Sequence, residues 1–228
     1  MYTVALKHLK KIDPVLRQLI KRVGPCLLEP QRQRTPFESL VRAIAHQQLH
    51  GTAAERILGR FIGLFAMPVT AAKITRRTKK AAPKFPLPEQ VLAQTLPNLR
   101  SVGFSGAKAI AIRDLAEKTL AGTVPTSRQI TRLEDEAIID RITQVRGIGR
   151  WTVEMLLIFR LGRLDVLPAD DFGVKNGYQI AYELPEMPSK KELLAASEIW
   201  RPYRSIAAWY LWRAADLDKA KRKKADKK

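Results

Sequence analysis

A single cysteine, Cys26, stands in a chain of 228 residues. A lone thiol excludes an internal disulfide and a four-cysteine iron–sulfur cluster, and it fits a reducing compartment. No apolar run approaches the roughly 20 residues that a bilayer-spanning helix needs. No apolar stretch near the N-terminus precedes a small-residue cleavage site. The expected location is therefore intracellular: cytoplasm or nucleoid, or nucleus for a eukaryotic source. Strict alternation of apolar and polar residues never lasts long enough to build a sheet, so the expected fold class is all-α. Acidic residues are also scarce, with 22 Asp and Glu against 41 Lys and Arg and a net charge of +19. That imbalance points to a polyanionic partner. Met67–Pro88 holds six basic residues and no acid, and Leu217–Lys228 holds seven basic and two acidic residues. Without these segments (+6 and +5) the body still carries +8 of the +19, so it is itself basic. No basic amphipathic helix of the membrane-surface kind stands out, which favours nucleic acid over a membrane.

What the chain does contain is concentrated between Ile142 and Val174. An apolar helix end reaches Val145, a Gly147-Ile148-Gly149 turn follows, and a second helix starts near Arg150 and runs to about Leu161. Two glycines around one apolar residue permit positive φ and a sharp turn, with Ile148 directed into the core. Arg150 and Thr152 open the second helix beside amides of the kind that attract phosphate. Leu167-Pro168-Ala169-Asp170-Asp171 then sets two carboxylates at the mouth of another helix. Each piece also has an ordinary reading. G-x-G is often only a tight connection, and Asp-Asp after Pro is often an N-cap with a first-turn acid.

Helical spacing also marks residues 3–25, broken at Asp13-Pro14, and Phe37 to about Leu49 after a Thr35-Pro36 start. Further helices are expected over Thr52–Phe65, Pro88–Leu96, Ser105–Leu120, Leu133–Val145, 172–182 and 190–197. Gln47, Gln48, Leu49 and His50 end the Phe37 helix; the glutamines suit a base or sugar, or simply a solvated helix end. His46 and His50 are four apart, but no third metal ligand matches them. Lys108 lies in the first turn after Gly103-Phe104-Ser105-Gly106, a diluted copy of the later turn. Met67–Pro88, with four prolines, reads as a mobile basic surface loop. Trp200-Arg201-Pro202-Tyr203-Arg204-Ser205 leads into a helix holding Trp209, Tyr210 and Trp212. Residues 217–228 read as a disordered basic tail adding salt-sensitive, non-specific DNA affinity.

V-R-G-I-G-R-W-T followed by L-P-A-D-D-F, with R-A-I-A-H-Q-Q-L and G-F-S-G-A-K-A before and W-R-P-Y-R-S-I-A-A-W after, resembles the helix–hairpin–helix DNA glycosylases. Within them it is similar to the AlkA-type 3-methyladenine DNA glycosylases, over roughly residues 36–213. About 36 residues precede the similarity, too few for the extra N-terminal β domain of the longer members, so the compact members are the better match. The resemblance implies two helical lobes with the active-site cleft between them. Residues 1–37 with 164–216 would form one lobe and 38–163, with the hairpin, the other.

The resemblance further implies duplex DNA as partner, a monomeric chain, and a flipped alkylated purine cleaved at its N-glycosidic bond to leave an abasic site. Asp171 matches the catalytic aspartate, with Asp170 as its capping or structural neighbour. Trp151 falls where bifunctional relatives carry the Schiff-base lysine; an indole forms no such adduct, which implies a monofunctional enzyme. Trp151, Trp212, Met155 and Gln47 would line the base pocket, with Met155 replacing a pocket tyrosine. Gln48, Leu49 or His50 would fill the gap left by the flipped base. Arg146, Gly147, Ile148, Gly149, Arg150, Thr152 and Lys108 would face DNA phosphates. Arg204 and Ser205 would position the Asp171 region or contact the DNA backbone. No catalytic metal or other cofactor is implied, although K⁺ or Na⁺ on the Val145 and Ile148 carbonyls is. A non-catalytic DNA-binding protein of this fold, and a glycosylase with another lesion specificity, remain alternatives.

Overall fold

The computed structural model describes residues 2–65 and 84–225. Regular structure among these residues is helical throughout, with no strand. The helices are α1 (Thr3–Ile12), α2 (Pro14–Val23), α3 (Pro36–His46), α4 (Gly51–Leu64), α5 (Pro88–Leu92), α6 (Leu96–Ser101) and α7 (Gly106–Leu120). They continue as α8 (Ser127–Ile130), α9 (Asp135–Ile142), α10 (Arg150–Leu156), α11 (Phe172–Ala181), α12 (Lys190–Ala196) and α13 (Arg204–Ala225). A π-turn, Leu157–Leu161, extends α10, and a 3₁₀ turn, Ser197–Trp200, extends α12.

Two compact units result: Met1–Arg32 with Glu154–Lys228, and Gln33–Val153. The division thus lies at 32/33 and 153/154, against the expected 37/38 and 163/164. Residues Leu157–Gly162 belong with the N-terminal segment for a local reason. The Gln31 amide donates to the Phe159 carbonyl at 2.8 Å, and Gly162 packs on Pro30.

In the unit of residues 33–153, α7 packs against α3, α5 and α6. Ala109, Ile112, Leu115 and Ala116 supply a buried stripe at helical spacing, and Ser105 caps the start by accepting from the Lys108 amide at 3.3 Å. Part of the expected 67–88 loop belongs to this core. Pro86 is buried, and Phe85 packs on Phe61 at 5.9 Å and on Phe37 at 6.3 Å. A large aromatic ring buries more favourably than it solvates. Positions 66–83 of that stretch lie outside the described residues. The single helix expected over Pro88–Leu96 is instead α5 and α6, because Thr95 caps a fresh start by accepting from the Asn98 amide.

In the other unit, the break at Asp13-Pro14 is a junction rather than a gap. Asp13 is buried; its Oδ1 accepts from the Val15 and Leu16 amides at 2.9 and 3.0 Å. Its Oδ2 accepts from Trp200 Nε1 at 2.8 Å and from the Tyr182 hydroxyl. Burial, and then the Asp13 hydrogen bond, push the Tyr182 phenol well above its ordinary range. One carboxylate therefore ties together the α1–α2 corner, the end of α11 and the 3₁₀ turn.

The closest packing in this unit is α11 on α13. A Cβ built on Gly177 would lie 1.9 Å from the Leu211 carbonyl oxygen, and one on Gly173 would lie 2.8 Å from Trp212 Cδ1. Gly177 lets backbone approach backbone, and Gly173, one turn earlier, leaves room for the Trp212 ring. The disordered tail expected over 217–228 is corrected for its described part: 226–228 lie outside the described residues, and α13 stays helical through Ala225. Its last residues lack Gly and Pro, are mostly good helix formers, and include an Asp218–Arg222 pair at 2.7 Å. Lysines also suit the negative end of the helix dipole.

Gly177→Ala is expected to lower stability by about 3 kcal/mol, since overpacking against backbone cannot be relieved by a rotamer change. Chemical denaturation of the two proteins measures it; an unchanged midpoint would contradict the close crossing.

Candidate functional site

Asp171 sits at the N-cap of α11 in extended conformation, φ −68° and ψ 122°. Its Oδ1 accepts from the Val174 amide at 2.8 Å and from Trp212 Nε1 at 2.8 Å. The first bond is the ordinary capping bond of a helix start. The second comes from the neighbouring helix α13 and sets the carboxylate plane against an indole edge. Trp212 is fixed on its other side by Phe159, with ring centroids 5.5 Å apart and planes inclined by 31°. Gly173 leaves the space that the indole fills. The half-buried Met155 belongs to the same unit.

Of the two roles expected for Asp170, capping or structural neighbour, capping is not the one it takes. Asp171 itself caps the helix; Asp170 is exposed and pairs with Lys190 Nζ at 2.5 Å. The two carboxylates diverge because Asp171 turns inward to the helix amides while Asp170 stays on the surface.

Arg204 and Ser205 are corrected as DNA contacts. The Arg204 side chain is only 12% exposed. Its Nε donates to Asp165 Oδ1 at 2.8 Å, and its Nη2 donates to the Asp165 carbonyl at 2.9 Å. The Ser205 hydroxyl is buried; it accepts from the Val166 amide at 2.9 Å and donates to the Val166 carbonyl at 3.0 Å. Together they hold the Asp165–Val166 segment that leads into Asp171.

The hairpin belongs to the other unit. Gly147 carries φ +77° and is the only one of the two hairpin glycines with positive φ, so one left-handed residue makes the turn. Ile148 is buried as expected. α9 ends at Ile142, three residues early, and an Ile148 amide bond to the Val145 carbonyl at 3.1 Å closes the turn. The Gly147 and Gly149 amides take no acceptor among the described residues, and both glycines are exposed. The Arg146 amide is already used, donating to Asp114 Oδ2 at 2.7 Å. Thr152 is corrected as a phosphate contact: its side chain is buried and its amide donates to the Gly149 carbonyl at 3.0 Å. Arg150 is held by a two-pronged pair with Glu136, at 2.9 and 2.5 Å. That pairing pulls the Glu136 carboxyl below its ordinary range. Trp151, in the first turn of α10, is 44% exposed.

Two residues outside the motif brace the hairpin from α7, and the motif alone gave no sign of them. Asp114 accepts from the Arg146 amide, and Lys118 Nζ donates to Asp114 at 2.8 Å and to the Gln144 carbonyl at 2.6 Å. Burial pushes the Asp114 carboxyl up, but the Arg146 amide and the Lys118 bond and charge outweigh it, leaving the group below its ordinary range. The 114/118 spacing is legible as an i, i+4 pair; its partners across the fold are not.

Gln47, just past the end of α3, holds the hairpin directly, and Lys108 of α7 holds the end of α3. Gln47 Nε2 donates to the Gly147 carbonyl at 3.0 Å. Lys108 Nζ donates to the Ala45 and Gln47 carbonyls at 2.9 and 2.7 Å. Lys108 is therefore a C-terminal cap for α3 and not a phosphate ligand, and burial draws its pKa below the ordinary lysine value. Beyond Gln47, Gln48 adopts φ +55°, unusual for a residue with a Cβ. Gln48, Leu49 and His50 are all exposed on the α3–α4 connection.

The chain belongs to the HhH-GPD superfamily of base excision DNA repair proteins, whose family model matches residues 41–202. DNA-3-methyladenine glycosylase 1 of Schizosaccharomyces pombe is 41% identical over 218 residues, covering 94% of this chain and 88% of that protein. A solved structure of 3-methyladenine DNA glycosylase from the same yeast, in complex with abasic DNA, superposes with a TM-score of 0.76 at 41% identity, covering 92% of this chain and 96% of that one. A DNA-3-methyladenine glycosidase structure from Bacillus halodurans gives a TM-score of 0.76 at 33% identity, covering 92% and 88%.

Asp114→Asn is expected to destabilise the protein by about 1 kcal/mol at neutral pH, after allowance for solvent screening. The wild-type carboxyl is depressed in the folded state, so its contribution is present above the ordinary carboxylate pKa of about 4 and is lost as pH falls through the lower folded value. Thermal melts of both proteins from neutral to acid pH should therefore converge in acid. A gap that stayed constant would contradict the assigned charge.

Proposed function

We propose that this protein is a monofunctional DNA-3-methyladenine glycosylase, which binds duplex DNA and hydrolyses the N-glycosidic bond of alkylated purines in base excision repair. The observation that carries the reading is the Asp171–Trp212 pair: a carboxylate at a helix mouth, oriented through one oxygen by an amide and an indole N–H. Alkylation at a ring nitrogen makes the purine cationic and a good leaving group, so the protein has little need to protonate it. Positive charge then builds on the sugar, as in other glycosyl transfers. Asp171 stabilises that charge and orients or deprotonates the attacking water. Exposed electron-rich rings such as Trp151 suit a cationic base, at about 0.5–2 kcal/mol per contact.

The exposed Gly147 and Gly149 amides supply phosphate donors, with Arg146, Ile148 and Arg150 beside them. The Val145 carbonyl accepts one protein bond, and the Ile148 carbonyl none among the described residues. Both retain lone pairs suited to K⁺ or Na⁺, which would stiffen the turn without entering the chemistry. Gln48, Leu49 and His50 form the segment that fills the gap left by the flipped base. Trp151 stands at the lysine position of bifunctional relatives and cannot form their imine, so cleavage stops at the abasic site.

Asp171→Asn is expected to slow base release from methylated duplex DNA by about 100-fold or more, with strand breaks appearing only after hot alkali. Chromatography of the released bases, with borohydride trapping on wild type, reads both points. Full activity of Asp171→Asn would remove the carboxylate from the mechanism, and a trapped adduct would overturn the monofunctional reading. No release from wild type, despite DNA binding, would leave a binding protein. Trp212→Phe keeps a ring against Phe159 but removes the N–H donor. It should cost about tenfold in single-turnover rate, the worth of a hydrogen bond to a charged group.

A further inference from the structure

The last turns of α13 carry a charge that neither the site nor the fold uses. Residues 217–225 hold five basic residues and one acid. The acids of this part of the helix are already matched, Asp216 to Arg213 at 2.9 Å and Asp218 to Arg222 at 2.7 Å. Lys219, Lys221, Lys223 and Lys224 are exposed and have no acidic partner among the described residues. Nothing apolar anchors this end, since every residue from Lys219 to Ala225 is exposed. Yet it is continuous with Trp212, which touches Asp171 through its indole N–H. A rise of about 1.5 Å per residue puts Lys224 roughly 18 Å along the helix axis from Trp212. The four lysines themselves span about 7–8 Å, or some two base steps at about 3.4 Å each.

From this placement we propose that the C-terminal part of α13, Lys219–Lys224, is a second DNA contact that grips backbone phosphates up to about five base pairs from the damaged base. The inference rests on the glycosylase reading, because that reading sets the base at Asp171 and so places the duplex near the start of this arm. The arm is sequence-independent by construction. Four flexible ammonium groups on a helix neutralise phosphates and release counterions, but they present no fixed fork to a base edge. Its role is to add affinity for undamaged duplex, holding the enzyme on DNA while lesions are sought.

The test compares wild type with Lys219→Gln/Lys221→Gln/Lys223→Gln/Lys224→Gln in fluorescence anisotropy on an undamaged duplex, over a KCl series. Glutamine preserves helix propensity, and circular dichroism checks that α13 remains folded. The expected result is a plot of log affinity against log salt that is shallower by about 2, at about 0.9 for each phosphate no longer neutralised, with at least tenfold weaker binding at low salt. The matching Lys→Arg variant should retain the wild-type slope. The difference between wild type and the Gln variant should also fade on duplexes whose flanks are shorter than about five base pairs. Identical slopes and affinities for wild type and the Gln variant would overturn the proposal. So would an unchanged DNA slope with lost binding to phosphatidylserine-containing vesicles, which would reassign the arm to a lipid surface. Base release by wild type is measured in parallel: a changed salt slope without any base release would keep the arm and sink the glycosylase reading.

Discussion

The contact on which the candidate site depends is the backbone-to-backbone crossing of α11 and α13. Gly177 allows the Leu211 carbonyl to lie where any side chain would collide, and Gly173 leaves room for the Trp212 ring one turn earlier. Only with the helices this close does the Trp212 N–H reach Asp171 at 2.8 Å. The carboxylate is then oriented twice, by the start of its own helix and by a neighbouring helix. A capping aspartate is usually a stability device worth about 1 kcal/mol. Here the same oxygen is also held by an aromatic donor, which removes the rotational freedom that an isolated cap would keep.

The hairpin obeys the same rule of support from outside the motif. A turn that offers free amides to a phosphate cannot also satisfy itself, so its remaining polar groups must be fixed by the surroundings. Asp114 takes the Arg146 amide, Lys118 takes the Gln144 carbonyl and Gln47 takes the Gly147 carbonyl. Among the described residues the Gly147 and Gly149 amides and the Ile148 carbonyl keep no protein partner. Preorganisation of this kind places the ordering cost in folding rather than in binding. It also gives two lysines near the turn a structural task. Lys108 and Lys118 are committed to backbone carbonyls, and the basic character of this unit is partly internal wiring.

Much of this was legible in the chain, and the remainder has identifiable causes. Helical periodicity located the long helices, and V-R-G-I-G-R-W-T with L-P-A-D-D-F located the hairpin and the carboxylate. Helix ends were less legible because they turn on single capping bonds: Thr95 starts α6 inside a stretch that reads as one helix, and α3 stops at His46 where Gln48 goes left-handed. Roles were least legible where a residue type serves two purposes. Arg204 and Ser205 read equally as DNA contacts or as struts, and only their partners Asp165 and Val166 decide. Gly173 and Gly177 read as weak points in a helix until a second backbone is found against them. Composition was misleading at the C-terminus, where a lysine-rich run reads as disordered although its Ala, Lys and Arg residues are sound helix formers.

That helical end changes how the basic surplus of the chain is understood. A disordered tail of the same composition would attract a polyanion, but it would also lose conformational entropy on binding and hold its charges at no fixed distance from the site. Continuation of α13 removes both conditions. The four unmatched lysines ride on the same rod as Trp212, so any phosphate they hold lies at a bounded distance from Asp171. The crossing at Gly177 thereby serves two ends of one helix. It fixes the indole that orients the carboxylate, and it fixes the direction in which the basic arm leaves the unit. Substitutions at the crossing should consequently disturb base release and salt-dependent DNA affinity together, whereas loss of the lysines should disturb the affinity without touching the Asp171–Trp212 geometry.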